Sequence, residues 1–161
     1  MTVFDWNVLG EHPIEQDIVL AIGVFDGLHR GHQRLIERVV RHGGGAPAVL
    51  SFSPLPKSVL SGTIDRLILS QRQKECRLHQ LGIEYLIVID FSKRFSQITG
   101  ETFVSQVLGR AAVRGVVVGK DFRCGRNRDT DSDTLRSLVG RYGIDTDIVE
   151  LVRCQKANVC L

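Results

Sequence analysis

The chain has 161 residues, 43% of them apolar and 24% charged, which suits one globular domain over residues 1–161 and argues against a disordered or fibrous chain. Its formal net charge is +3, and the cations are dispersed apart from Arg123, Arg126 and Arg128, so a small anionic ligand is favoured and a nucleic-acid partner is not. No run of about 18 apolar residues could span a bilayer, and residues 1–15 lack the blocks of a secretory signal, so a cytoplasmic protein with no membrane partner is expected.

In chain order, the first strand is expected over Ile18 to Ile22, ending in a glycine-rich turn. A helix from about His32 to His42 follows, with Leu35, Ile36, Val39 and Val40 on one face and Arg34, Glu37, Arg38 and Arg41 on the other. Ala48 to Phe52 reads as the second strand. Ser70 is placed to cap a helix through about Leu81, with Cys76, Leu78 and Leu81 inward and Gly82 ending it. Tyr85 to Ile89 is the third strand, and Phe103, Val104, Val107 and Leu108 mark another helix. Val116 to Val118 is the fourth strand, Ser132 to Arg141 a helix with Leu135, Leu138 and Val139 together, and Ile148 to Val152 the fifth strand.

These strands are short, β-branched and apolar on both faces, as inside a parallel sheet covered by helices. Right-handed crossovers then give an α/β, Rossmann-like, doubly wound sheet of about five strands, with helices on both faces and ligands at the strands' carboxyl ends. Cys76, Cys124, Cys154 and Cys160 form no CxxC pair and read as reduced thiols; no protein metal site is expected.

The turn after the first strand carries the chemistry. Gly23, Gly27 and Gly31 permit tight turning and leave no Cβ to block a phosphate, and the first N–H groups of the helix beginning near Gly31 carry partial positive charge. His29 and His32 add side-chain donors at the same mouth. A glycine-rich turn after a strand is common in α/β proteins, but two histidines bracketing a glycine there are not. The spacing matches neither the Walker A pattern, which needs a Lys after its glycines, nor the GxGxxG dinucleotide pattern.

His29-Arg30-Gly31-His32 resembles the HxGH signature of the nucleotidyltransferase superfamily, and the ten residues from Gly23 resemble the FMN adenylyltransferase module of the bacterial FAD synthetases. Ser51-Phe52-Ser53-Pro54-Leu55-Pro56 is similar to that family's TFEPHP stretch. Gly82 to Tyr85, Phe91, Phe95 and Glu101 to Val104 resemble its segment around the third strand, and Val118 to Gly125 its VGxDFRFG loop. In order and spacing the likeness runs from about Ile18 to Val152.

The resemblance implies that the phosphate of FMN attacks the α-phosphorus of ATP, assisted by Mg²⁺, giving FAD and pyrophosphate. It implies that His29 and His32 contact the ATP phosphates and are catalytic, that Gly23, Phe25, Asp26 and Gly31 shape the ATP pocket, and that Pro54, Pro56, Asp121, Phe122 and Arg123 serve the flavin side. The pattern breaks at Leu55, Cys124 and Thr130, where the family usually has His, Phe and Gly. It breaks again in Arg153 to Leu161, which contains no Ser or Thr and so lacks the superfamily's Ser-Ser-Thr-x-x-Arg turn; Lys156 is a substitute cation by position alone. A nucleotide- or flavin-binding module with weak or no turnover is therefore the second reading, and another nucleotidyl transfer the third. A riboflavin kinase module is not expected within 161 residues, so FMN would come from elsewhere.

Overall fold

In the computed structural model of the protein, which describes residues 1–62 and 67–151, six parallel strands form the central sheet. They are β1 (Thr2–Asp5), β2 (Ile14–Ile22), β3 (Ala46–Ser53), β4 (Tyr85–Asp90), β5 (Ala111–Gly119) and, after a small hairpin of β6 (Arg123–Cys124) and β7 (Thr130–Asp131), β8 (Asp145–Val149). The order across the sheet is β1-β4-β3-β2-β5-β8. The chain winds outward from β2 through β3 to β4, then returns to place β5 on the other side of β2. The reversal leaves a crevice at the carboxyl ends of β2 and β5, where open α/β sheets receive ligands.

Helices cover both faces. On one, α1 (Arg30–Arg41) and α3 (Gln71–Gln80) bury Leu35, Ile36, Val39 and Leu78 against Val19, Ala21, Val49 and Leu86 of the sheet. On the other, α4 (Gly100–Leu108) and α5 (Ser132–Gly140) bury Phe103, Val104, Val107, Leu135 and Val139 against Ile18, Leu20, Leu50, Ile87 and Val116. Successive residues of β2 thus enter opposite cores, which is why its sequence is apolar throughout. A short helix, α2 (Pro56–Ser61), begins with a proline whose missing N–H costs nothing in a first helical turn.

The expected α/β sheet is present with six strands in place of about five. The additional one, β1, lies at the edge beside β4 and is largely exposed; Thr-Val-Phe-Asp shows no apolar run because little of it is buried. The second difference is in α3. Ser70 caps it as expected, accepting from the Gln73 N–H while the Gln73 side chain accepts from the Ser70 N–H. Its buried stripe, however, runs through Lys74 and Leu78, spaced one helical turn apart, while Cys76 and Leu81 face solvent. A lysine in the inward row breaks the apolar pattern, so hydrophobicity alone selects the wrong face.

The helix α1 begins earlier than its apolar rhythm suggests. His29 is its N-cap and His32 its third residue. Strand β8 ends at Val149, and residues 152–161, which include Lys156, Cys154, Cys160 and the stretch without Ser or Thr, lie outside the described residues.

Candidate active site at the β2 and β5 carboxyl ends

The segment between β2 and α1 is shaped by three successive constraints. The Gly23 N–H donates to the Leu50 carbonyl at 3.1 Å, holding the start of the turn against β3. Phe25, Gly27 and Leu28 then adopt φ of 52°, 76° and 43°. Glycine takes that conformation without cost, whereas Phe and Leu pay strain, which burial of both side chains offsets. Finally the Gln33 side-chain amide donates to the Leu28 carbonyl at 2.9 Å, closing the turn onto α1.

The product is a pair of stacked imidazoles at the helix mouth. His29 and His32 lie with ring centroids 3.7 Å apart and planes inclined by 22°, and Phe25 packs against His32 from below at 4.9 Å. The His32 backbone N–H donates to Nδ1 of His29 at 3.4 Å. That atom is then an acceptor, so a neutral His29 carries its proton on Nε2. Burial lowers the pKa of His29, with the Asp121 carboxylate acting in the opposite direction. Burial, then His29, then the Lys74 ammonium push His32 down to about 3. Both shifts run downward from 6.5, so both rings stand neutral at pH 7. Among the described residues Nδ1 of His32 is buried without a partner; a buried unpaired acceptor is better tolerated than a buried unpaired N–H, which leaves the His32 proton on Nε2.

The stack opens into a cleft of about 1170 Å³. Gly23, Gly31, His29, His32, Pro56, Asp121, Phe122 and Arg123 line it, so the structure brings most of the sequence-predicted site residues together from three segments. Phe25, Asp26 and Pro54 are not on its wall. Phe25 is fully buried under the turn. Asp26 points away from the cleft, its Oδ1 accepting from the Ile68 and Leu69 N–H groups at 3.0 and 3.3 Å, and thereby ties the turn to the segment that enters α3. Pro54 is exposed, in the link between β3 and α2. These residues shape the turn and its surroundings from behind.

Beyond the imidazoles the cleft becomes an aromatic recess. Phe52, Phe91, Phe95 and Phe103 make a chain of edge and tilted contacts with centroids 5.6–6.2 Å apart, and Phe122 also lines the cleft. The β6–β7 hairpin bounds this recess. It is fastened to the start of α4, because the Arg126 N–H donates to the Ile98 carbonyl at 2.8 Å and the Gly100 N–H to Oδ1 of Asp129 at 3.0 Å. Gly125 is required at that junction: its φ is 79°, and a Cβ would overlap the Asp129 carboxylate and the Gly100 nitrogen. Cys124 also faces the recess, and burial, with Asp129 adding to it, pushes its thiol up to about 12, so it stays protonated. Its position and that of Cys76 show free thiols, as expected.

Sequence reasoning missed Lys74, whose side chain reaches the turn from α3, and did not place Phe52 or Phe103 at the cleft. Phe makes up seven of 161 residues, and that five of them line this one cleft is visible only in the fold.

Fold and cleft together define an α/β domain of the doubly wound class, with an anion-ready turn and an apolar recess sharing one opening. Comparison with known proteins narrows this: the chain belongs to the FAD synthetase family, whose profile matches residues 11–161. It is 34% identical over 145 residues to the FAD synthetase of Listeria monocytogenes, a match covering 88% of this chain and 59% of that protein. It is 32% identical over 136 residues to the bifunctional riboflavin kinase/FMN adenylyltransferase of Escherichia coli K12, covering 81% of this chain and 44% of that protein. The chain thus spans about half the length of these relatives. Among solved structures, the macrolide-efflux protein from Streptococcus pneumoniae superimposes with a TM-score of 0.83 at 23% identity, covering 98% of this chain and 54% of that one. Pantothenate synthetase from Thermus thermophilus does so with a TM-score of 0.61 at 16% identity, covering 96% and 63%. At such identities these structures show the fold alone. Among the described residues no helix is long and apolar enough to cross a membrane.

Proposed function

We propose that the protein is an FMN adenylyltransferase, moving AMP from ATP to FMN and releasing pyrophosphate. Membership of the FAD synthetase family supports this reading. The observation that carries it is the shared opening of the stacked histidines and the aromatic recess, because the reaction needs a triphosphate and a flat apolar ring system held side by side. At about 1170 Å³ the cleft exceeds the ~300–1,000 Å³ of most single-ligand sites.

An oxygen of the FMN phosphate bonds to the α-phosphorus of ATP while the bond from that phosphorus to the bridging oxygen breaks, and pyrophosphate leaves with the electron pair. The nucleophile is already an anion and needs no general base. The work left to the protein is alignment and stabilisation of charge on the phosphate oxygens. Nε2–H of His29 and of His32 are donors suited to that charge, and so are the amides of the first turn of α1. Gly23 and Gly31 let backbone approach the phosphates, and Phe122, Pro56, Asp121 and Arg123 flank the flavin.

Among the described residues no three His, Cys, Asp or Glu side chains cluster to hold a metal. A Mg²⁺ ion would therefore arrive on the ATP phosphates, its usual mode in phosphoryl-transfer sites, with Asp121 the carboxylate beside the histidines. The decisive experiment incubates the protein with FMN, ATP and Mg²⁺ and assays FAD and pyrophosphate. Their stoichiometric appearance is expected; binding of FMN and ATP without either product rejects the transferase reading.

A further inference from the structure

Lys74 is only 3% exposed, yet it carries an ammonium into the interior of an α/β domain, where lysine is rarely found. Its Nζ donates to the Val24 carbonyl at 3.3 Å and to Oγ of Ser51 at 3.2 Å. The Ser51 hydroxyl in turn donates to the same Val24 carbonyl at 2.8 Å. The three groups form a closed triangle joining α3, the end of β3 and the first residues of the turn that carries the histidines. Burying an ammonium costs several kcal/mol unless it is well partnered, and an apolar side chain would fill the same space more cheaply. The core alone gives no reason for a lysine here.

We propose that Lys74 is a positioning residue for the reaction: from beneath the turn its ammonium fastens the Val24 carbonyl to Ser51 and so sets where the His29–His32 stack stands in the cleft. The inference rests on the adenylyltransferase reading for its catalytic meaning, but the geometry itself does not. The same ammonium acts electrically. Its field reaches His32 and opposes protonation of that ring, adding to the effects of burial and of His29. Asp26 and Glu75 are the carboxylates whose fields reach Lys74, and Asp121 the one that reaches His29. Oδ1 of Asp26 accepts from the Ile68 and Leu69 amides, which holds that carboxylate to the segment before α3. A neutral His32 keeps a single donor on Nε2 ready for phosphate, and the buried positive charge raises the potential where a triphosphate would sit.

The test is an NMR titration of the histidine ring protons in the nucleotide-free protein, wild type against Lys74→Met. The His32 midpoint is expected to rise by about half a pH unit or more in the variant. An unmoved His32 in a folded variant overturns the proposal. If Lys74→Met does not fold, Ser51→Ala carries the test, since it removes one partner of the ammonium and leaves the charge. There the KM for ATP is expected to rise at least about threefold with the KM for FMN unchanged, and an unchanged KM for ATP overturns the proposal. The titration needs no turnover, and the Ser51→Ala arm is run only once the parent protein has been seen to form FAD, so failure of the adenylyltransferase reading and failure of this one are seen separately.

Discussion

The two ends of the cleft are built in opposite ways. The histidine end, the phosphate end under the proposed reading, comes from one continuous stretch, Gly23 to His32, shaped by its glycines and helix start and tied from outside by Leu50, Ile68, Leu69 and Lys74. The aromatic end is assembled from separate pieces, with Phe52 near the end of β3, Phe91 and Phe95 after β4, Phe103 on α4 and Phe122 after β5. Under the adenylyltransferase reading, the contrast follows from what each end would hold. An anion is held by backbone amides and a fixed dipole, which a short local motif can supply. A flat apolar ring needs side chains approaching from several directions, and only packing of distant segments provides that.

Four measurements test whether the two ends differ in this way. Phe25 lies inside the phosphate-end motif yet is fully buried, so Phe25→Ala is expected to cost about 3–5 kcal/mol of stability, read as a lowered midpoint of chemical unfolding. A variant as stable as the parent would mean that the ring belongs to the cleft and not to the core. His32→Ala is expected to lower kcat for FAD formation by about 10²–10³-fold while leaving the KM for FMN unchanged, because it removes a donor from one end only. A rise in the KM for FMN as large as the fall in kcat would show that the two ends are not independent.

Acid stability comes next. His32 is held at about 3 in the folded chain against an ordinary value of 6.5, so between those pH values the unfolded chain takes up a proton that the folded one refuses. The contribution of the ring is complete above pH 6.5 and is lost as pH falls toward 3. From pH 7 to pH 5 wild type should lose about 2 kcal/mol more than His32→Gln in paired denaturant titrations; equal losses would refute the neutral stack. The smallest effect is expected at the aromatic end. Phe122→Ala removes one ring of several and should raise the KM for FMN about threefold to tenfold with the KM for ATP unchanged, in steady-state kinetics. An equal change in both constants would assign Phe122 to the nucleotide.

The phosphate end was legible for the same reason that it is compact. Glycine at 23, 27 and 31 and histidine at 29 and 32 mark a strand-to-helix turn by residue type alone, and β2 and α1 flank it as the apolar rhythm implies. Less visible was what stands behind the turn. Asp26 reads as a polar group at a nucleotide mouth, but its partners are amides 42 and 43 residues away. Lys74 interrupts an apolar stripe and reads as a surface residue, since nothing nearby in the chain announces Ser51 and the Val24 carbonyl. The edge strand β1 escaped for a related reason: an exposed strand need not be apolar, so its only signature is the neighbour it pairs with.

The amino-acid sequence by itself determined the layered α/β architecture, the family, and the place where the histidines sit, because alternating β-branched runs, helical stripes and glycine turns are local properties of the chain. Tertiary structure alone decided which of those residues face the cleft and which support it from below. Burial and hydrogen bonding depend on partners tens of residues distant, and they turned Phe25 and Asp26 inward to the scaffold, drew five phenylalanines to one recess, and set a charged lysine under the stacked imidazoles.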